Sequence, residues 1–234
     1  MNFALILAGG FGTRMGETEK PKQFLTLGTK PILIHTVEKF AFLPDFEKII
    51  VLTPKEWINY TNDLIKEYIP LDNVVVIEGG ELRIDTINEG MEYILNNYDG
   101  NNHIIVTHDA VRPFVSHRII KDNIKQVEEV GACDTVIPAT DTIVESKNSE
   151  IISSIPNRTY MYQGQTPQSF RLNELKELYD DLSEEDKLKL TDACKIFVLN
   201  GREVSLVKGD ISNIKITYAY DLKVANFILE DNND

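Results

Sequence analysis

The stretch that constrains this chain most is the run Phe3-Ala4-Leu5-Ile6-Leu7-Ala8 and the loop that leaves it, Gly9-Gly10-Phe11-Gly12-Thr13-Arg14-Met15-Gly16. An unbroken apolar run marks a strand buried on both faces, as in a parallel sheet. Four glycines fall within the eight residues that follow, with Arg14 among them. Glycine lets main-chain N–H groups close on an anion with no Cβ in the way. Lys20-Pro21-Lys22-Gln23 brings more cations a few residues on. Strand, glycine loop, Arg14 and Lys22 together predict a backbone site for a triphosphate, the two side chains supplying countercharge. The bland alternative is a glycine-rich turn with a surface arginine.

Two commoner phosphate loops do not fit. A P-loop needs Lys-Ser or Lys-Thr after its last glycine, and none is present. A dinucleotide fingerprint needs a third glycine where Met15 stands, and a helix at once, whereas the residues after Gly16 are polar up to Pro21. The net charge of -13 argues against a general nucleic-acid binder. Cys133 and Cys194 are far apart with no C-x-x-C, so two reduced thiols are expected rather than a zinc or disulfide framework. No apolar run approaches the ~18 residues of a membrane span. With no signal-peptide pattern at the start, a cytoplasmic protein is expected.

Further along, apolar runs alternate with helical patterns. Lys48–Leu52, Val74–Ile77, Ile104–Asp109, Cys133–Pro138 and Val204–Gly209 read as strands, and Pro31–Phe40 and the stretch from Pro54 as helices. The expectation is one α/β domain over 1–234, a mostly parallel Rossmann-like sheet with helices on both faces. Gly79-Gly80 and the helix start near Arg83 place more backbone amides at the carboxyl edge of that sheet. Asp109 ends a buried strand and suits a Mg²⁺ ligand beside phosphates. His108 points to the opposite face and cannot pair with it as a dyad. Arg112 could bind phosphate, but an ion-pair role in the fold is preferred. Asp141–Glu145 and Ile151–Ile155 read as a hairpin around a polar turn. Gln165–Phe170 reads as a turn rich in amides and hydroxyls, and Asn213–Thr217 as a strand carrying Lys215.

Taken in order, L-A-G-G-x-G-T-R-M-G…P-K-Q, G-G-x-x-R-x-x-T, H-D-A-x-R-P, Q-T-P-Q, T-D-A-C-K and N-I-K-I-T resemble the signatures of the polyol-phosphate cytidylyltransferases. The resemblance implies the nucleotidyltransferase fold with a protruding β-arm over 140–158 that clasps a second subunit as a homodimer. It implies CTP as substrate, bound by Leu7, Ala8, Gly9, Gly10, Gly12, Gly79, Gly80, Arg83 and Thr86, with Thr86 where relatives usually carry serine. Arg14 and Lys22 would act on the pyrophosphate, Lys215 on the α-phosphate, and Asp109 on Mg²⁺ and substrate. Arg158, Thr166 and Thr191 would hold the polyol phosphate, Arg158 reaching the partner's site. Within the family, Leu7-Ala8-Gly9-Gly10, Tyr162-Gln163-Gly164-Gln165 and Thr191–Lys195 resemble the ribitol-5-phosphate enzymes. That implies CDP-ribitol for a teichoic-acid-type polymer. The nearest rival is the methylerythritol-4-phosphate enzyme of isoprenoid precursor synthesis. A reductase would need the missing fingerprint, and a non-catalytic nucleotide-binding regulator would be expected to lack Arg14, Lys22 or Asp109.

Overall fold

The computed structural model describes residues 1–10, 20–190 and 192–231. Arg14 and Gly12 of the glycine loop, and Thr191, lie outside the described residues. In chain order the elements run β1 (Asn2–Leu7), the short ladder β2 (Thr26–Leu27) with β3 (Lys30–Pro31), and α1 (Ile32–Ala41). Then come β4 (Lys48–Thr53), α2 (Ile58–Tyr68), β5 (Val74–Glu78), α3 (Arg83–Asn97), β6 (Ile104–Asp109), α4 (His117–Val130) and β7 (Ala132–Pro138). The chain finishes with β8 (Tyr162–Arg171), α5 (Leu172–Asp180), α6 (Glu184–Lys189), α7 (Cys194–Leu199), β9 (Ser205–Lys208) and α8 (Ala219–Asp231).

Seven strands form one sheet in the order β5-β4-β1-β6-β8-β7-β9. Only β8 runs antiparallel to its neighbours, so the mostly parallel sheet expected from the sequence is present. The composition of β1 follows from its central place. Ala4, Ile6 and Ala8 face a core built with α1, α2 and α4. Phe3, Leu5 and Leu7 face a second core built with α3, α5 and α7. Both faces are dry, which is why the strand alternates apolar with apolar. From β1 the chain moves outward to β4 and β5, then returns to add β6 on the other side. The carboxyl ends of β1 and β6 are therefore a topological switch point, where open α/β sheets hold their ligands.

Three expectations need correction. Gln165–Phe170 is part of the ten-residue strand β8, between β6 and β7, rather than a turn. Pro167 and the polar side chains give the impression of a turn, but Gln165, Thr166, Gln168 and Ser169 are all buried. The register slips between Asp134 and Val136, which lets the ladder pass the proline. Asn213–Thr217 forms no strand. It is pinned as an irregular segment by Ile216 N–H donating to Val111 O at 2.9 Å and by Asn213 Nδ2 donating to Thr166 O at 2.9 Å. Ile216 sits in a small third core with Leu27, Ile32, Val111 and Ala225. The hairpin over 140–158 amounts to one antiparallel bridge, Glu145 with Ser154, flanked by side-chain bonds such as Ser146 Oγ to Ile151 O.

Candidate active site

At the switch point a cleft of about 390 Å³ opens, a volume suited to a small ligand. The edge of β1 from Leu7 to Gly10 lines it, as do Lys22, the turn Gly80–Arg83, Thr86, Asp109 and Lys215. The structure thus brings together most of the nucleotide residues expected from the sequence. Among the described residues, a Cβ added at Gly9 or Gly10 would meet nothing within 4 Å. Gly80 is different: its Cβ would come within 2.5 Å of Asp85 Cβ and 2.9 Å of the Thr86 nitrogen. Packing of the turn on α3 therefore requires glycine at 80, whatever it binds. The Thr86 hydroxyl donates to the carbonyls of Gly80 and Leu82 at 3.1 and 3.0 Å, so in this state it closes its own turn.

Lys22 opens a single 3₁₀ turn, Lys22–Phe24, and is only 8 % exposed. Two contacts fix that turn. Gln23 Nε2 donates to the Ala8 carbonyl at 2.6 Å, tying the residues after the glycine loop to the end of β1. Phe24 packs on Trp57 and Tyr60, with ring centroids 5.0 and 5.1 Å away. Gln23 escapes a reading of the sequence as a site residue, because a buried amide has no periodicity. Its place directly after Lys22 is the one available signal.

Asp109 is the electrostatic centre. Its Oδ1 meets Arg83 Nη1 at 2.6 Å, and its Oδ2 meets Lys215 Nζ at 3.0 Å and Arg112 Nε at 3.3 Å. Burial alone would push the carboxyl up, but Arg83, Lys215 and Arg112 together hold it well below the usual range. Burial lowers the Arg112 guanidinium, and Asp109 opposes that. Arg112 Nη1 also donates to the Asn213 carbonyl at 2.8 Å, which ties the Lys215 segment to β6. Arg112 is thus an ion-pair partner inside the fold.

His108 lies on the other face of β6, with Nε2 3.1 Å from the Arg112 carbonyl. A carbonyl only accepts, so Nε2 carries the proton and Nδ1 accepts from the Thr166 hydroxyl at 2.9 Å. Burial lowers His108 to about 4, and it stays neutral. The Thr166 hydroxyl in turn accepts from the Asp109 N–H at 3.2 Å. Thr166 is buried and spends its hydroxyl on positioning the strand end that carries Asp109. Arg158 is exposed, donates to the Thr140 carbonyl at 2.7 Å, and does not line this cleft.

The family model described as 2-C-methyl-D-erythritol 4-phosphate cytidylyltransferase matches residues 3–231. The chain resembles the 4-diphosphocytidyl-2C-methyl-D-erythritol synthase of Anaerococcus prevotii at 26% identity and a TM-score of 0.81, over 98% of this chain and 96% of that one. It resembles the 2-C-methyl-D-erythritol 4-phosphate cytidylyltransferase of Francisella tularensis at 30% identity and a TM-score of 0.80, over 97% and 98%. The enzyme of that name from Thermus thermophilus shares the fold at 24% identity and a TM-score of 0.74, over 98% and 100%.

Proposed function

The chain belongs to the 2-C-methyl-D-erythritol 4-phosphate cytidylyltransferase family, and from that premise we propose the reaction and residue roles that follow. CMP passes from CTP to a polyol phosphate. An ionised oxygen of the acceptor phosphate attacks the α-phosphorus in line. The bond from that phosphorus to the bridging oxygen breaks, and pyrophosphate leaves with the electron pair. The nucleophile is already an anion, so no general base is needed, and catalysis is positioning plus neutralisation of charge. The observation that carries this reading is the convergence of Lys22, Arg83 and Lys215 on one cleft, with Arg83 and Lys215 paired to Asp109. Lys22 and Arg14 are assigned to the pyrophosphate and Lys215 to the α-phosphate. The β1 edge and the Gly79–Thr86 turn are assigned to the nucleotide.

Magnesium fits the donor set. Among the described residues no three or more His, Cys, Asp or Glu form a metal cage, and Mg²⁺ needs none, since it keeps waters and phosphate oxygens. Asp109 would hold it, and the ion would neutralise charge on the phosphates. Lys215, with its side chain 41 % exposed, is the cation on Asp109 with most room to move.

Two acceptors rest on different grounds. The family description and the names of the solved relatives favour 2-C-methyl-D-erythritol 4-phosphate. This chain's Tyr162–Gln165 and Thr191–Lys195 segments resemble the ribitol enzymes and favour D-ribitol 5-phosphate. At identities of 24–30% a shared nucleotide half leaves the acceptor half free to differ. Our reading therefore gives weight to those segments and takes ribitol 5-phosphate first, with CDP-ribitol as a precursor of a teichoic-acid-type polymer made in the cytoplasm. Pyrophosphate release is measured with CTP, Mg²⁺ and each acceptor. A higher kcat/KM for ribitol 5-phosphate is expected; an equal or reversed preference overturns that choice in favour of methylerythritol phosphate.

We further propose that the 140–158 arm joins two copies. Val144, Ile151, Ile152 and Ile155 are each more than half exposed on it, apolar area that a second subunit would cover. The protein is expected to sediment as a dimer and Ile151→Asp with Ile155→Asp as a monomer. A wild-type monomer at micromolar concentration would refute the assignment.

A further inference from the structure

Gln23 lines the cleft beside Lys22 but has no part in the reaction above. It is 1 % exposed. A carbonyl only accepts, so the amide nitrogen is the atom that faces Ala8 O, at 2.6 Å. Ala8 is thereby held from both sides: its N–H donates to the Leu52 carbonyl on β4 at 2.8 Å, and its carbonyl accepts from Gln23. The Ala8 carbonyl and the Gly9 N–H belong to one trans peptide plane and point in opposite directions. Fixing the carbonyl therefore fixes the Gly9 N–H, which points away from Gln23. Gly9 and Lys22 line the same cleft. At its other end Gln23 belongs to the buried turn Lys22–Phe24, closed by the Phe24 N–H on Pro21 O at 2.9 Å and the Leu25 N–H on Lys22 O at 3.1 Å. Before Pro21, Lys20 is committed elsewhere: its Nζ donates to the Tyr60 hydroxyl at 2.9 Å and sits 4.5 Å from that ring's centroid.

We propose that Gln23 is a positioning residue for the triphosphate: its bond to Ala8 locks the Ala8–Gly9 peptide and the Lys22 turn into one anion-binding unit. This rests on the assignment of Lys22 and the β1 edge to the nucleotide. A main-chain N–H and an ammonium held at a fixed spacing need no reorganisation as charge develops on the leaving phosphates. An amide suits the task. It donates to a carbonyl without a charge of its own, whereas a lysine or arginine at 23 would compete with Lys22 for the phosphates, and an ionised glutamate could not donate at all.

The test is a double-mutant cycle on pyrophosphate release, with Gln23→Leu made in the wild type and in Lys22→Ala, using the better acceptor of the pair assayed above. In the wild type Gln23→Leu should lower kcat about 10-fold or more, the size of a small misplacement of a phosphate-binding group, while the acceptor KM stays within about twofold. In the Lys22→Ala background the same change should cost about threefold or less, because the group it positions is gone. A merely structural role, or a direct contact of Gln23 with substrate, would give the same factor in both backgrounds, and that result overturns the proposal. So does wild-type kcat in Gln23→Leu. Gln23→Glu supplies a second arm that stands if the leucine variant does not fold. Burial pushes the new carboxyl up, and it donates to Ala8 O only when protonated. Its kcat relative to wild type should therefore climb to within about threefold as pH falls from about 8 to about 5.5, and rise above that of the leucine variant, whose ratio stays flat; no climb overturns the proposal. Lys22→Ala alone separates the two levels. Turnover near wild type there removes the Lys22 assignment and this proposal with it, whereas a large loss combined with an additive cycle removes only the positioning role.

Discussion

Replacing Lys22 with alanine should lower turnover by about 10²-fold or more, with the fold intact. The size is that of removing one cation or donor aimed at developing charge in the transition state. Pyrophosphate carries the charge that builds as the leaving group departs, so the deficit should fall on kcat more than on either KM. The fold should survive because its neighbours anchor the turn: Gln23 holds it to the Ala8 carbonyl at 2.6 Å, and Phe24 is packed against Trp57 and Tyr60. Steady-state pyrophosphate release and a thermal melt check both halves. Turnover close to wild type would remove Lys22 from the site.

The contrast between Lys22 and Gln23 shows what a sequence discloses. Cations beside a glycine loop are conspicuous in an acidic chain, and β1 is conspicuous because it is apolar on both faces. Asp109 can be placed because it ends such a strand. The amides of Gln23 and Gln168 are silent, since their meaning lies in carbonyls and carboxylates 15 and more residues away. Strand β8 reads wrongly for a related reason: its polar side chains look solvated in sequence, yet several are bonded inside the fold. Ser169 Oγ, for instance, donates to Asn123 Oδ1 at 2.9 Å. Asn213–Thr217 has the composition of a strand, yet its partners are Val111 and Thr166 rather than a ladder. Local propensity cannot anticipate that. Thr166 shows the same limit at the site, where the hydroxyl bonds to the Asp109 N–H and to His108, contacts that sequence alone does not show.

Substituting Asp109 with asparagine should be the most damaging single change in the cleft, on stability and on turnover together. The amide is nearly isosteric but carries no charge, so it leaves three cations facing one another. Arg112 suffers most, since its side chain is only 10 % exposed. Breaking a buried pair from one side costs about 3–5 kcal/mol, which for a chain of this size lowers the melting temperature by roughly 6–20 °C. The pH dependence separates this cause from a packing defect. In the wild type the Asp109 carboxyl is held well below its ordinary value of 3.8, so in that window the unfolded chain binds a proton the native one does not. Its contribution is complete above pH ~4 and drains away as pH falls through the native value. The substituted amide cannot titrate, so the gap between Asp109→Asn and wild type should narrow on acidification below about pH 4. A gap constant from pH 7 to pH 3 would mean that the damage is steric, and that the three cations are not held by the charge on Asp109. Turnover at pH 7.5 should fall at least about 10²-fold, because Lys215 and Arg83 lose the carboxylate that anchors them in the cleft.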